Sequence, residues 1–234
     1  MPEKPLEWIA FGSRTSFVRR VYDAAIEAEL VPSAAALICA QAAHETNWGK
    51  RVMNYNLAGV KANAWWRENR DYTTVATREC VPCKAGEAPS PECPPGQRLE
   101  VVEQAHWRAY ATLVEGVRGI VSLLGADRYK ESKALLLAGD TRFFRQLGAD
   151  GWYTASPEVY EKSSLDRLSF VNAVVEALRW QRALLAWDAS CLPKWGADGD
   201  WGAESKGALR AFQQKKGLGE SGERDDATAA VLFA

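Results

Sequence analysis

The 234-residue sequence predicts a mostly helical α+β domain carrying one small β-hairpin lobe, followed by a small three-helix bundle. Three observations support that expectation. Apolar residues recur at helical spacing through most of the chain, and a single central stretch is rich in β-branched and aromatic residues. A Gly/Asp-rich segment then interrupts the periodicity near residue 200.

Phe17, Val21, Ala25 and Ala28 stand at i, i+4, i+8 and i+11, one inward stripe of a first helix that ends near Pro32. Ser33 is the expected N-cap of "AAALICAQAAHE", which is apolar on all sides and therefore the central buried helix. "DYTTVATREC" and "RLEVVEQAHWRAY" read as hairpin strands, with a Pro/Gly/Cys-rich insert as a long tip. Thr112 and Glu115 form a capping box ahead of inward-facing Val117, Ile120, Val121 and Leu124. Ser156 and Pro157 open a later helix. Its far end, "VEALRWQRALLAW", is the first helix of the last unit, whose others hold Leu209, Phe212 and the C-terminal tail. The chain is expected to divide into residues 1–169 and 170–234, inside a continuous helix. A helical body with a hairpin lobe leaves a cleft between them, where ligands bind.

The net charge is −1 with no dense Lys/Arg run, so nucleic acid is not an expected partner. No stretch is long and apolar enough to span a membrane. A polar, uncharged ligand fits better. Ten tryptophans is unusually many; most are expected to pack in the core, and indoles beyond those offer flat faces that stack on sugars. "MPEKPLEWIAFGSRTSF" lacks the features of a secretory signal, so work outside a cytoplasm would need delivery by something other than a cleaved signal. A monomer that uses no cofactor is expected. Cys80, Cys83 and Cys93 bracket the hairpin tip, where a disulfide staple is favoured over a zinc site completed by His106; Cys39 reads as an inert core thiol.

The central helix keeps its charge for its last turn, "AQAAHETNWG". Gln41 and Glu45 share a face, and Glu45 stands at the negative pole of the helix dipole beside Ala and Trp48. The dipole and burial both disfavour ionisation, which leaves a proton donor suited to protonating a sugar leaving group.

"AQAAHETNWGK", with "NLAGVKA" after a short gap, resembles the AQAxLExxWG and NLFGIKA signatures of the flagellar-type peptidoglycan glucosaminidases, a lysozyme-like family. "TTVATRE" is similar to the family's Thr-rich strand, "HWRAYATLVEGV" to its FRAYxSxxES helix entry, and "GWYTASPEVYEKSSL" to its GYATDPxYAxKL segment. The resemblance implies Glu45 as the catalytic acid, Glu79 as the second carboxylate and Tyr153 as the cleft tyrosine, with Asp71 as the runner-up base. It also implies substrate contacts from Gln41, Trp48, Asn56, Lys61, Trp65, Trp66 and Trp152, with Trp107 a further stacking candidate. His44 and Ala58 depart from the family pattern; His44 is expected to pack. The implied reaction is cleavage of β-1,4 bonds in the peptidoglycan glycan strand, by inversion or by attack of the substrate's own acetamido group. A muramidase and a lytic transglycosylase are the alternatives, and an idle wall-binding protein is the rival from another class.

"DGDWGAESKGALRAFQQKKGL" resembles the three-helix peptidoglycan-binding repeat, which implies wall-binding positions Asp198, Trp201 and Phe212. "SGERDDATAAVL" keeps that spacing but has Asp225 where the family has glycine.

Overall fold

The structure, a computed structural model, describes residues 3–82, 98–153 and 156–234; at positions 78–82, 98–101 and 103 of the hairpin it describes the backbone alone. Ser13 caps α1 (Arg14–Glu27) by accepting the Ser16 amide at 3.0 Å, and Phe17, Val21 and Ala25 turn inward as their spacing requires. α2 (Pro32–Glu45) follows. Its N-cap is Val31, without a side-chain bond, so the Ser33 cap expected from sequence is replaced by Pro32 at the first helical position. Proline lacks an amide that needs capping and presets the helical φ. Ser33 sits in the first turn against Gly139, where an added Cβ would lie 2.3 Å from its Oγ.

Every residue of α2 from Ala34 to Ala43 is buried. Its alanines let neighbouring helices approach closely, and full burial of Leu37 and Ile38 contributes about 1.5–3 kcal/mol each. Around it pack α1, α5 (Lys130–Ala138) and α7 (Pro157–Trp187). Outside these lie α4 (Leu113–Leu123) against α1 and α6 (Phe143–Ala149) against α5 and α7. Thr112 caps α4 through the Glu115 amide, while Glu115 reaches back to the Ala111 amide at 2.9 Å, one residue beyond the N-cap amide of the standard capping box.

The short α3 (Ala64–Asn69) leads into β1 (Tyr72–Pro82), which pairs antiparallel with β2 (Arg98–Arg108), Tyr72 opposite Arg108 and Glu79 opposite Val101. The hairpin is clasped at its base on both edges. Lys4 donates to the Tyr72 carbonyl at 2.7 Å, and Ala62 donates to the His106 carbonyl at 2.7 Å. Cys83 and Cys93 fall outside the described residues, as does the side chain of Cys80. His106 Nδ1 bonds Thr74 Oγ1 at 3.0 Å. Cys39 is buried on α2 and burial pushes its thiol pKa up.

α7 runs unbroken through residue 170. Its buried face changes partners between Leu178, in the larger core, and Trp180, in a smaller one shared with Leu209 and Phe212 of α8 (Ala203–Lys215) and Leu232 of α9 (Asp226–Leu232). Two buried glutamines organise the loops here. Gln181 donates to Asp198 Oδ1, the Asp200 carbonyl and Ser205 Oγ and accepts the Gly199 amide at 2.8 Å. Gln213 repeats the pattern with Ser221, Glu223, Thr228 and the Gly222 amide. Asp225 is the N-cap of α9, accepting the Thr228 amide at 2.7 Å. No helix among the described residues is long and apolar enough to cross a membrane.

Candidate active site

The end of α2 is fixed by backbone geometry. Thr46 Oγ1 donates to the Ala42 carbonyl and accepts the Gly49 amide, while Asn47, Trp48 and Gly49 take successive positive φ values of 49°, 60° and 78°. Left-handed conformations in non-glycine residues cost about 1–3 kcal/mol each, so this turn is held by its packing. At Gly49 an added Cβ would lie 2.4 Å from the Phe11 ring and 2.6 Å from the Phe17 ring. The turn stops the helix at Glu45 and leaves that side chain half-buried.

Two donors meet on one oxygen of Glu45. Trp152 Nε1 donates to Oε1 at 3.2 Å and the Tyr160 hydroxyl donates to the same atom at 2.8 Å. Burial raises the Glu45 pKa above the ordinary carboxylate value, and the two hydrogen bonds, which favour the anion, offset only part of that rise. An indole N–H can only donate. Oε1 is therefore an acceptor, and the proton of the neutral acid resides on Oε2. Burial and the neighbouring Glu45 push the Tyr160 pKa well up, so it remains a phenol and a donor.

Aromatic packing holds Tyr160 in place. Tyr153 stacks on it at 3.7 Å and 15°, and His44 leans against it at 4.3 Å. The Tyr153 hydroxyl itself donates to the Phe144 carbonyl at 3.2 Å. His44 packs, and burial and nearby Arg167 lower its pKa. Tyr160 was not singled out from sequence, although it falls in the quoted "GWYTASPEVYEKSSL" and starts the buried stripe Tyr160, Ser164, Leu168, Val171 of α7. Its partner is 115 positions away.

Other expected site residues lie elsewhere. Gln41 is wholly buried and cannot touch a substrate. Asn56 is buried with its amide bonded to the Val60 amide and to the Val60 and Arg108 carbonyls, so it staples a loop. Trp48 is a core residue, edge-on to Phe17 and Phe170 with only 9% of its surface exposed. Lys61 lies over the Trp107 ring at 5.7 Å. Trp65 is open to solvent, but with Trp66, Arg70, Asp71 and Tyr110 it lines a separate cavity of about 470 Å³ that Glu45 does not line. Trp66 Nε1 bonds the Asp71 carbonyl, and Asp71 pairs with Lys4 at 3.5 Å. The Glu79 side chain lies outside the described residues. In the last unit, Asp198 is tied to Gln181, Phe212 is core, and Trp201 packs on Trp180 beneath Arg224.

A half-buried carboxylic acid at the end of a central helix, in a helical body with a two-stranded hairpin, suits the acid chemistry of a glycoside hydrolase. The chain belongs to the glucosaminidase family, described as mannosyl-glycoprotein endo-beta-N-acetylglucosaminidase, whose model matches residues 22–198. Residues 178–232 match the model of a peptidoglycan binding domain. Among solved structures, the glycoside hydrolase domain of FlgJ from Salmonella typhimurium shares the fold, with 23% identity, TM-score 0.52, and coverage of 76% of this chain and 97% of that one. A C-terminally truncated form of that domain has 26% identity and TM-score 0.49 over 69% of this chain and 99% of that one. A mutant of the peptidoglycan hydrolase from Sphingomonas sp. A1 has 25% identity and TM-score 0.47 over 66% and 92%. None of the curated proteins compared matches the chain.

Proposed function

We propose that the chain cleaves β-1,4 glycosidic bonds of bacterial peptidoglycan as an endo-β-N-acetylglucosaminidase, with Glu45 as general acid. The observation that carries this reading is the pair of donors on Glu45 Oε1. Burial keeps the carboxyl protonated beyond its ordinary range, and Oε2 delivers the proton to the bridging oxygen. As the bond breaks, the negative charge left on Glu45 appears where Trp152 and Tyr160 already point their hydrogens, so no reorganisation is needed. Tyr153 acts through Tyr160 as a positioning residue. Glu79, on β1, is assigned the second carboxylate role.

Residues 170–234 form the wall-binding unit in this reading, supported by the second family match. A unit that holds the insoluble polymer raises the local concentration of scissile bonds. The enzyme acts at the cell wall as a monomer. Mass spectrometry of digested sacculi tests the proposal. N-acetylglucosamine at the new reducing end is expected; N-acetylmuramic acid there or an anhydro terminus would replace the proposal with a muramidase or a transglycosylase.

A further inference from the structure

Residues 3–12 precede the part of the chain matched by the glucosaminidase model and run as a strap across the body. Glu7 accepts the Asn54 amide at its carbonyl, Ile9 donates to the Val52 carbonyl at 2.9 Å, and Trp8 bridges to Met53. The strap and the turn after Glu45 enclose a cavity of about 460 Å³. Its aromatic lining is Trp8, Phe11 and Trp48, with Trp8 57% exposed. Arg14 and Lys50 stand at the same cavity; none of its described lining residues is acidic, and neither cation makes an ion pair among the described residues. The Arg14 guanidinium lies 5.2 Å from the Trp48 ring centroid.

The cavity is close to the acid. Trp48 is three residues beyond Glu45, so their Cα atoms are at most about 11 Å apart. Arg167 feels the charge of Arg14, and its own charge acts on His44 and Tyr160. Positive charge from Arg14, Lys50 and Arg167 thus runs from the cavity toward Glu45, offset at Arg167 by the neighbouring Asp166. A neutral glycan gives such charge nothing to meet, whereas peptidoglycan carries peptide stems that end in carboxylates.

We propose that this cavity is a second substrate-binding site that takes the carboxylate-bearing peptide stem of the strand, with Arg14 and Lys50 meeting the carboxylate and Trp8 covering its aliphatic part. The inference rests on the peptidoglycan reading above. Calorimetric titration of the full chain carrying Glu45→Gln is the test, using a soluble disaccharide tetrapeptide and the same fragment with its carboxyls amidated. Two solvent-exposed ion pairs should favour the free acid by roughly three- to tenfold. Adding Arg14→Gln and Lys50→Gln should erase that preference, and adding Trp8→Ala should weaken both fragments. Equal binding of the two fragments, or a preference that survives loss of both cations, would overturn the site. Should a variant unfold, the Trp8 indole N–H signal of the otherwise unsubstituted chain must still shift with the acid fragment and not with the amide. If the native chain leaves sacculi uncut while the acid preference holds, the substrate reading fails and the anion site stands.

Discussion

Gln41 in the catalytic body and Gln181 and Gln213 in the C-terminal unit are equally buried, yet they are used in opposite ways. Each C-terminal glutamine spends both ends of its amide on loops that have no regular structure to hold them. Gln41 finds no hydrogen-bond partner among the described residues for either end. His44 Nδ1, Ser164 Oγ and Arg167 Nε, on the same two helices that carry Glu45 and Tyr160, are likewise buried and unpaired. The C-terminal unit pairs its buried polar side chains more fully, Trp201 Nε1 being the exception among its described residues. In the body, unpaired buried groups among the described residues cluster around Glu45 and also at the hairpin base, at Arg67, Trp107, Arg108 and Tyr110.

Substitutions that act on one region and not the other sharpen this contrast. Glu45→Gln should have the largest effect, a loss of at least about 100-fold in sacculus cleavage. Because burial lifts the Glu45 pKa above its unfolded value, stability is full below the unfolded value and falls as pH rises through the lifted one. Glutamine removes that loss, so the inactive variant should melt higher at neutral pH; wild-type turnover would remove Glu45 from the mechanism. Next is Gln181→Leu, which strands the Gly199 amide, Ser205 and Asp198 and should cost about 2–4 kcal/mol in denaturant unfolding. Cleavage of short soluble glycans should continue; its loss would mean the two units are one cooperative machine.

Tyr160→Phe removes a hydrogen bond that favours ionised Glu45, so the alkaline limb of the kcat/KM profile should move to higher pH as the maximal rate drops. A limb that stays in place or moves down would separate Tyr160 from the acid. Gln41→Leu should do least: with no partner to strand, its unfolding free energy should stay within about 1 kcal/mol of the parent. A loss as large as that of Gln181→Leu would dissolve the contrast between the regions.

The elements were legible wherever a local pattern decides them. The α1 stripe, the all-apolar α2, the Thr112 cap and the hairpin strands stand where spacing and residue type put them. Ser33 misled because a hydroxyl before an apolar run is a common cap, yet the neighbouring proline had already fixed the start. The candidate site was legible in part: Glu45, Trp152 and Tyr153 were expected there and stand together, whereas Tyr160 was not expected. Spacing along α2 says that Glu45 and Gln41 share a face, not that Tyr160 and Trp152 will meet that carboxyl while Gln41 is sealed in. The same limit hid Trp48 and Asn56, whose polar or aromatic type suits a ligand until packing consumes it.

α7 serves both halves, giving Tyr160 to the acid near its start and Trp180 and Gln181 to the smaller core twenty residues on. At helical rise that separation is about 30 Å, spanned by a rod with no interruption. A flexibly leashed hydrolase sweeps a sphere around its foothold. With residues 170–234 holding the wall as proposed, the rod would act as a gauge, and the strands within reach of Glu45 would lie one rod-length from the foothold.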